Sequence, residues 1–234
     1  MGGERLGYGS TRGIAIVNFD LFADEAPRRW TETLAPGALV LRGRAYDDAP
    51  ALLAALKAVT ARAPLRNMVT PGGFVMSVAM SNCGPLGWVT DERGYRYTAQ
   101  DPLSGEAWPA MPEAFSRLAK QAASEAGFAD FEPDACLINR YDVGTRMSLH
   151  QDKNERDFHQ PIVSVSLGLS ATFLFGGMAR SDKAQRVALT HGDVVVWGGE
   201  SRLYFHGILP LKSGRMPEGM SEECRFNLTF RKAG

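Results

Sequence analysis

Apolar and polar residues alternate along the C-terminal half of the chain. In the uncharged run 162–179, Val163, Val165 and Leu167 are separated by serines. This two-residue period predicts a β-strand, because successive strand side chains point to opposite faces. A membrane helix would instead be apolar on every side over about 20 residues. We therefore predict a strand here, a second strand near 172–175, and no membrane span.

Short strands are predicted throughout the sequence from Ala135 onward. Turn signals such as Gly176–Gly177 and Gly198–Gly199 separate them. The predicted strands are 135–141, 146–151, 162–169, 172–175, 186–189, 193–197, 202–206 and 224–231. Closely spaced short strands are typical of a sandwich or a jelly roll. The pattern predicts an α+β, mainly β fold with its core in the C-terminal half.

Two helices are predicted in the front half, where they would support the sheet. The first follows Asp48, carries apolar residues at helical spacing and ends at Pro64. The second begins near Pro112 and stops at Gly127. Between the helices, residues 65–109 are rich in Gly, Pro and aromatic residues. The pattern alone favours an irregular loop there, with a lid that stacks on a flat ligand as the alternative.

Charge and cysteine content argue against a strongly basic nucleic-acid-binding protein, a disulfide-rich protein and a zinc-thiolate protein. The 26 basic and 26 acidic residues cancel, so only a local patch could attract nucleic acid or a membrane. Three widely separated cysteines make neither a disulfide framework nor a thiolate zinc site, and they suit a reducing cytoplasm. Residues 1–17 lack the features of a secretory signal and are predicted to be a flexible extension.

The four histidines include one pair pattern that suits a metal. His150 and Asp152 are two residues apart, so a strand projects both side chains from one face. A histidine on another strand would complete a set of two histidines and one carboxylate, which suits non-haem Fe(II). His206 is the best third ligand, after a strand predicted at 203–205. His191 reads as a turn residue and His159 as a solvated loop residue.

A second candidate site lies on the last predicted strand. Arg225, Asn227, Thr229 and Arg231 share one face of it, opposite three apolar residues. Taken alone, this face is most simply a solvated basic surface. If it instead points inward near the polar pair Asn139 and Tyr141, two buried guanidiniums would need anionic partners.

A dicarboxylate such as 2-oxoglutarate would supply those partners, because guanidinium groups bind carboxylates through paired hydrogen bonds. If the two candidate sites converge, they would form an iron site beside a dicarboxylate site.

Nearly the whole chain resembles the AlkB family of Fe(II)- and 2-oxoglutarate-dependent dioxygenases. The matching motifs are Asn18–Ala26 (NFDLFADEA), Met68–Met80 (MVTPGGFVMSVAM), Trp108–Pro112 (WPAMP), Pro133–Tyr141 (PDACLINRY), Ser148–Lys153 (SLHQDK), Pro161–Leu169 (PIVSVSLGL), His191–Arg202 (HGDVVVWGGESR) and Arg225–Arg231 (RFNLTFR). The resemblance implies a double-stranded β-helix, or jelly roll. It also implies one domain, 18–234, with a nucleotide-recognition lid at 65–109 and a catalytic core at 135–234.

The resemblance also implies a role for individual residues. The implied iron ligands are His150, Asp152 and His206. The implied 2-oxoglutarate-binding residues are Asn139, Tyr141, Arg225, Asn227 and Arg231. The implied substrate-binding residues are Thr70, Met80, Trp88, Tyr95, Asn154 and Arg180. Trp88 would stack the damaged base against His150.

The activity implied by the resemblance is oxidative demethylation of bases such as 1-methyladenine and 3-methylcytosine. It would consume O2 and act on DNA, with RNA as a second candidate substrate. Separately, the cysteine content predicts a cytoplasmic location, and a monomer is expected because nothing in the sequence indicates an oligomer. Two alternatives stay open: an oxygenase of the same type that acts on RNA, protein or a metabolite, and a jelly-roll module with a structural metal.

One position departs from the family motif. The best-known bacterial member of the family has His-x-Asp-Lys-Asp, whereas this chain ends the motif with Asn154. Asparagine keeps an acceptor oxygen but loses the negative charge near the base. We therefore predict weaker discrimination in favour of cationic bases than an aspartate would give.

Overall fold

Fourteen strands and two helices make up the part of the chain that the computed structural model describes, Met1 and residues 28–234. The strands are β1 Trp30–Ala35, β2 Ala38–Arg42, β3 Arg66–Val69, β4 Val75–Cys83, β5 Gly87–Asp91, β6 Gly94–Thr98, β7 Ala135–Asp142, β8 Met147–His150, β9 Ile162–Gly168, β10 Ala171–Phe175, β11 Gln185–Leu189, β12 Val194–Trp197, β13 His206–Ile208 and β14 Cys224–Arg231. The helices are α1 Ala49–Arg62 and α2 Glu113–Glu125. The predicted extension 1–17 and the motif Asn18–Ala26 lie outside the described residues, Met1 excepted.

Two antiparallel sheets face each other. The larger has the strand order β1-β2-β12-β9-β14-β7-β4-β3, and the smaller has the order β11-β10-β13-β8. A buried apolar cluster between them joins Phe173 and Phe175 of the small sheet to Val195 and Trp197 of the large one. This arrangement is a jelly roll, which confirms the predicted mainly β fold.

The helices cover the outer face of the large sheet. A second buried cluster joins Leu52 of α1 and Phe115 of α2 to apolar residues of β9 and β14. Both helices lie where the sequence predicted them, and Pro50 stands in the first turn of α1, where its missing N–H leaves no helical bond unmade. Neither helix, among the residues described, is long and apolar enough to cross a membrane.

Strands β9 and β14 are buried on both faces, which decides where the site lies. Val165 and Leu228 point to the helices, whereas Ser166 and Arg225 point into the space between the sheets. The expectation of a solvated basic face on β14 is therefore wrong. Arg225 is only 1% exposed and Arg231 only 5%.

Residues 65–109 form strands rather than the irregular loop that the pattern alone favoured. Strands β3 and β4 extend the edge of the large sheet beside β7, and β5 and β6 form a separate hairpin closed at Gly94. Gly94 has φ 101°, a conformation that other residues rarely adopt. The glycines therefore mark turns between strands.

The strand predicted at 202–206 is wrong over most of its length. The backbone N–H groups of Arg202 and Tyr204 bond to nearby carbonyls in tight turns, so they are not free to pair in a sheet. The strand β13 begins only at His206.

Candidate active site

A cavity of about 720 Å³ opens between the two sheets and beneath the β5–β6 hairpin. All fourteen residues proposed for the site from the sequence line it, although they come from segments between Thr70 and Arg231. The fold therefore brings together the candidate metal ligands, the candidate 2-oxoglutarate-binding residues and the candidate substrate-binding residues.

The candidate metal ligands lie on the small sheet and on the segment that follows β8. His150 and His206 are paired across β8 and β13, and Asp152 stands two residues beyond His150. The Nε2 of His150 lies 3.7 Å from the Oδ1 of Asp152, and the Nε2 of His206 lies 3.7 Å from its Oδ2. Ligand atoms of all three residues lie within 4.8 Å of one another, which is close enough for a single ion.

Backbone carbonyls orient both imidazole rings. The Nδ1 atom of His150 lies 2.9 Å from the carbonyl oxygen of Ser148, and that of His206 lies 3.0 Å from the carbonyl oxygen of Tyr204. Because a carbonyl only accepts hydrogen bonds, each Nδ1 carries a proton and each Nε2 is directed towards Asp152. Burial lowers the pKa of His206 to about 4, so this ring is neutral and able to bind a metal.

Asp152 is held ionised by a neighbouring guanidinium. Burial alone would raise its pKa, but Arg231 donates to its Oδ2 from Nε at 3.1 Å and from Nη2 at 2.6 Å. The charge and hydrogen bonds of Arg231 outweigh this burial and hold the pKa of Asp152 well below its usual range. A buried carboxylate that stays charged at neutral pH is the anionic ligand that a divalent metal needs.

Arg225 is a buried cation whose hydrogen bonds are incomplete. Its Nη2 donates to Ser166 Oγ at 2.9 Å, while Nε and Nη1 have no hydrogen-bond partner within residues 28–234. Burial lowers its pKa to about 10 despite opposing contributions from Tyr141 and Asp193. A carboxylate entering the cavity would satisfy both free N–H groups.

The two arginines therefore differ in their availability to a ligand. Arg231 already contacts Asp152 and lies 3.3 Å from Glu155, which leaves Nη1 as its one group without a hydrogen bond in the described chain. The sequence argument that both guanidiniums need ligand carboxylates thus applies fully only to Arg225.

Neutral polar groups line the cavity between these arginines. Asn139 and Asn227 face each other across β7 and β14, and the Nδ2 of Asn139 lies 3.4 Å from the Oδ1 of Asn227. Asn227 is fixed by bonds to Ser164 and Thr229. Tyr141 pairs with Arg225 in the same register, and burial raises its pKa to about 12, so its hydroxyl remains a hydrogen-bond donor.

The β5–β6 hairpin brings two aromatic rings to the mouth of the cavity. Trp88 and Tyr95 stack with centroids 5.7 Å apart and planes 21° from parallel. The indole Nε1 of Trp88 donates to the Oδ1 of Asn154 at 3.1 Å. This bond attaches the hairpin to the segment that carries Asp152.

The other predicted substrate-binding residues lie around the same opening. Thr70 begins the turn between β3 and β4, and its Oγ1 accepts from the backbone N–H of Phe74. Met80 is buried, at 1% exposure, on β4. Arg180 donates to the carbonyl of Leu149 at 2.5 Å and lies over the ring of Phe205.

The sequence reasoning missed a buried ionic network beside the metal ligands. Glu155 lies 3.2 Å from Arg202 and 3.3 Å from Arg231, and it accepts a hydrogen bond from Tyr97 at 2.6 Å. Glu155 stands in a polar stretch that looked solvated throughout. Its position directly after the metal-binding motif was the one sequence signal.

The two remaining histidines lie outside the cavity lining. The Nδ1 of His191 accepts the backbone N–H of Gly168 at 3.0 Å, and the side chain of His159 is 98% exposed. His191 is thus a structural turn residue and His159 a solvated one, as the sequence predicted.

The residues present fit Fe(II) and 2-oxoglutarate. Two imidazoles and one ionised carboxylate are the donor set that suits a non-haem Fe(II) oxygenase, and these three side chains would hold the iron. The unsatisfied N–H groups of Arg225 lie in the same cavity, where they suit a carboxylate of a dicarboxylic acid. The geometry thus defines an oxygenase of the jelly-roll type.

Comparison with known proteins leads to the same class. The 2OG-Fe(II) oxygenase superfamily matches residues 37–231. The alpha-ketoglutarate-dependent dioxygenase AlkB of Salmonella typhimurium is 60% identical over 214 residues, covering 92% of this chain and 97% of that protein. AlkB of Escherichia coli is 57% identical over 215 residues, covering 92% and 98%. The chain therefore belongs to the AlkB family of 2OG-Fe(II) dioxygenases.

More distant relatives extend the comparison. The solved structure of OsALKBH1 has a TM-score of 0.76 and 30% identity, and it covers 86% of this chain and 99% of that chain. The DNA N(6)-methyladenine demethylase ALKBH1C of Arabidopsis thaliana is 33% identical over 171 residues, covering 63% of this chain and 38% of that protein. Membership of this family confirms the predicted use of Fe(II), 2-oxoglutarate and O2.

Proposed function

We propose that this protein removes alkyl groups oxidatively from the bases of DNA, with 1-methyladenine and 3-methylcytosine as representative lesions. One observation carries the proposal. The same cavity is lined by the metal-ligand cluster and, at its mouth, by the stacked rings of Trp88 and Tyr95. A flat base is the kind of substrate that such rings hold beside a metal. The demethylase relative acts on DNA, as its name states.

In this proposal His150, Asp152 and His206 hold Fe(II), and Arg225 binds one carboxylate of 2-oxoglutarate. When bound, iron, 2-oxoglutarate and O2 supply an oxidant that hydroxylates an N-methyl carbon, and the products are succinate, CO2, formaldehyde and the restored base. Arg231 keeps Asp152 ionised and in place throughout. Buried Asn139, Tyr141 and Asn227 orient 2-oxoglutarate.

Residues 65–109 act as the lid over the core at 135–234. A damaged base must leave the duplex to enter the cavity, and alkylation of its pairing edge lowers the cost of doing so. Trp88 then offers a ring face to the flipped base, opposite His150. Thr70, Met80 and Tyr95 bound the space that the nucleotide enters.

Three exposed cations at the cavity rim support a nucleic-acid substrate. Arg146, Lys153 and Arg180 all line the opening and can contact backbone phosphates on either side of a flipped nucleotide. A local patch of this size is compatible with a net charge of zero. Single-stranded DNA and RNA present the same phosphates and unpaired bases, so both are included as substrates.

We also propose that the protein works as a monomer in the cytoplasm. All three cysteines are free and buried, as suits a reducing compartment. Gel filtration coupled to light scattering tests the oligomeric state, and a dimer mass would contradict it.

The test is reconstitution with Fe(II) and 2-oxoglutarate without O2, followed by O2 and an oligonucleotide carrying one 3-methylcytosine. We expect loss of one methyl group and one formaldehyde per lesion. Asp152→Ala should abolish both, and Trp88→Ala should reduce demethylation far more than 2-oxoglutarate consumption without substrate.

Two other results would contradict the proposal. Succinate formation with an unchanged oligonucleotide, for DNA and RNA alike, would point to a protein or metabolite substrate. Metal binding without any O2-dependent loss of 2-oxoglutarate would indicate a structural metal.

A further inference from the structure

The amide of Asn154 is oriented by its contact with the lid. Its Oδ1 lies 3.1 Å from Nε1 of Trp88. An indole N–H donates hydrogen bonds and never accepts them, so the atom that faces it must be the amide oxygen rather than the nitrogen. The acceptor of Asn154 is therefore occupied by the lid, and the Nδ2 group, with two N–H donors, is directed elsewhere.

That Nδ2 group is available to a ligand. Asn154 is exposed and lines the cavity, and its Nδ2 makes no hydrogen bond to any residue of the range 28–234. The residue stands two positions after Asp152, so the amide lies on the rim beside the metal-ligand cluster. Asn154 is hydrogen-bonded to the Nε1 edge of the Trp88 indole. A nucleobase that packs against this indole would therefore bring its pairing edge towards Asn154.

The charges around the cavity point in the same direction. Among the described lining residues, Asp152 is the one carboxylate, and Arg231 neutralises it. The cationic lining residues are Arg146, Lys153, Arg180, Arg225 and Arg231. A cationic base entering this cavity finds no free negative charge among these side chains.

We propose that Asn154 acts as a hydrogen-bond donor to the substrate and raises activity on neutral N-alkylated bases with a carbonyl oxygen at purine C6 or pyrimidine C4, relative to bases with an amine at that position. 1-Methylguanine and 3-methylthymine have this chemistry. In 1-methyladenine and 3-methylcytosine the corresponding group is an amine, whose N–H bonds would face those of Asn154. This inference rests on the proposed function and specifies its substrate class.

An aspartate in the same place would behave differently. One oxygen would accept from Trp88, and the other would still accept from an exocyclic amine and attract a cationic ring. The substitution from aspartate to asparagine therefore replaces an acceptor by a donor, in addition to removing a charge.

The experiment compares kcat/KM on four oligonucleotides that differ only in the lesion: 1-methylguanine, 3-methylthymine, 1-methyladenine and 3-methylcytosine. The measured quantity is the kcat/KM on the carbonyl lesions divided by the kcat/KM on the amine lesions. Changes in stacking affect both classes alike and cancel in this ratio. Trp88→Phe retains a ring but removes the indole N–H, which frees the Asn154 amide to rotate without changing any charge. We expect this variant to lower the ratio about tenfold, the effect of one hydrogen bond.

Two further variants complete the comparison. Asn154→Asp should lower the ratio at least as much as Trp88→Phe. Trp108→Phe is the matched control, because Trp108 donates its indole N–H to the carbonyl of Thr98 and lies outside the cavity lining. It should leave the ratio unchanged.

The outcomes separate this inference from the proposed function. If all lesions are demethylated and the carbonyl-to-amine ratio of kcat/KM is the same in wild type, Trp88→Phe and Asn154→Asp, the role of Asn154 is overturned while the proposed function stands. Absence of demethylation on every oligonucleotide, with 2-oxoglutarate still consumed, would overturn the proposed function and this inference with it. A ratio that falls in Asn154→Asp alone would assign the effect to charge and contradict the proposed amide orientation.

Discussion

Tyr97 of the lid hairpin donates a hydrogen bond to Glu155 at 2.6 Å. Glu155 in turn contacts Arg231, and Arg231 holds the metal-ligand candidate Asp152. The chain of contacts runs from the lid to the metal cluster through buried side chains. It connects the position of the β5–β6 hairpin to the orientation of Asp152, which lies more than fifty residues after Tyr97 in the sequence.

We expect Tyr97→Phe to loosen the lid without removing the metal site. Loss of one hydrogen bond to a buried carboxylate should cost about 1 kcal/mol, or about a fivefold rise in KM for the methylated oligonucleotide. Affinity for Mn(II), used as a probe for the metal site, should stay unchanged. Tyr95→Phe is the matched control for stability, because it removes a hydroxyl from an exposed residue of the same strand. Equal urea midpoints for the two variants would contradict the role given to Tyr97.

Asp152 and His150 should affect stability differently although both are candidate ligands. Asp152→Asn removes the anion that pairs with buried Arg231, so the metal-free protein should lose about 3 kcal/mol. His150→Asn affects a more exposed side chain and should change metal-free stability by less than about 1 kcal/mol. Both variants should lose the increase in melting temperature that Mn(II) gives the wild type. Similar stabilities of the two metal-free variants would argue against the Asp152–Arg231 ion pair.

Arg225→Met should have opposite effects on stability and on binding. The native guanidinium is buried with two unsatisfied groups, so an apolar side chain of similar length should stabilise the ligand-free protein by about 1 to 2 kcal/mol. The same change should abolish the stabilisation of about 2.7 kcal/mol that 2-oxoglutarate gives the wild type at a hundred times its Kd. Thermal melts with and without 2-oxoglutarate and Mn(II) measure both effects. Unchanged 2-oxoglutarate binding would remove Arg225 from the site.

Local sequence patterns predicted which side chains share a face of a strand, whereas the substrate-binding residues were predicted only from the family resemblance. Alternation on β14 placed Arg225 and Arg231 on one face, and the spacing of His150 and Asp152 placed both on one side of a strand. What the patterns could not give was burial, because that depends on the second sheet and on the helices. The face of β14 therefore looked solvated, although Arg225 is 1% exposed.

Contacts between distant segments were also beyond the sequence. The bond from Trp88 to Asn154 joins residues 66 positions apart, and it exists because the β5–β6 hairpin leans over the segment after β8. In the sequence, Glu155 is one of several polar residues of a loop. It is buried because the guanidinium groups of Arg202 and Arg231, which belong to other segments, pair with it. The turn at 202–205 was taken for a strand because its apolar residues resemble one, whereas the N–H groups of Arg202 and Tyr204 bond to carbonyls three residues earlier.

His191 should make folding stability depend on pH. Burial lowers its pKa from the ordinary value of 6.5, with a smaller opposing effect of Asp193, and the unprotonated Nδ1 accepts a hydrogen bond from the N–H of Gly168. Between the lowered folded-state pKa and 6.5, the unfolded chain binds a proton that the folded chain does not. The contribution of His191 to the free energy of unfolding should therefore be fully present above pH 6.5 and be lost as the pH decreases below it.

Urea unfolding of wild type and His191→Asn from pH 7.5 to pH 5 tests this contribution. Asparagine can still accept from Gly168 but does not titrate in this range, so the variant should lose less stability on acidification than the wild type does. His159→Asn is the control, because its exposed ring should leave the wild-type pH profile unchanged. If His191→Asn and wild type lose stability in parallel, another group causes the acid sensitivity, and the imidazole of His191 is not held neutral by the fold.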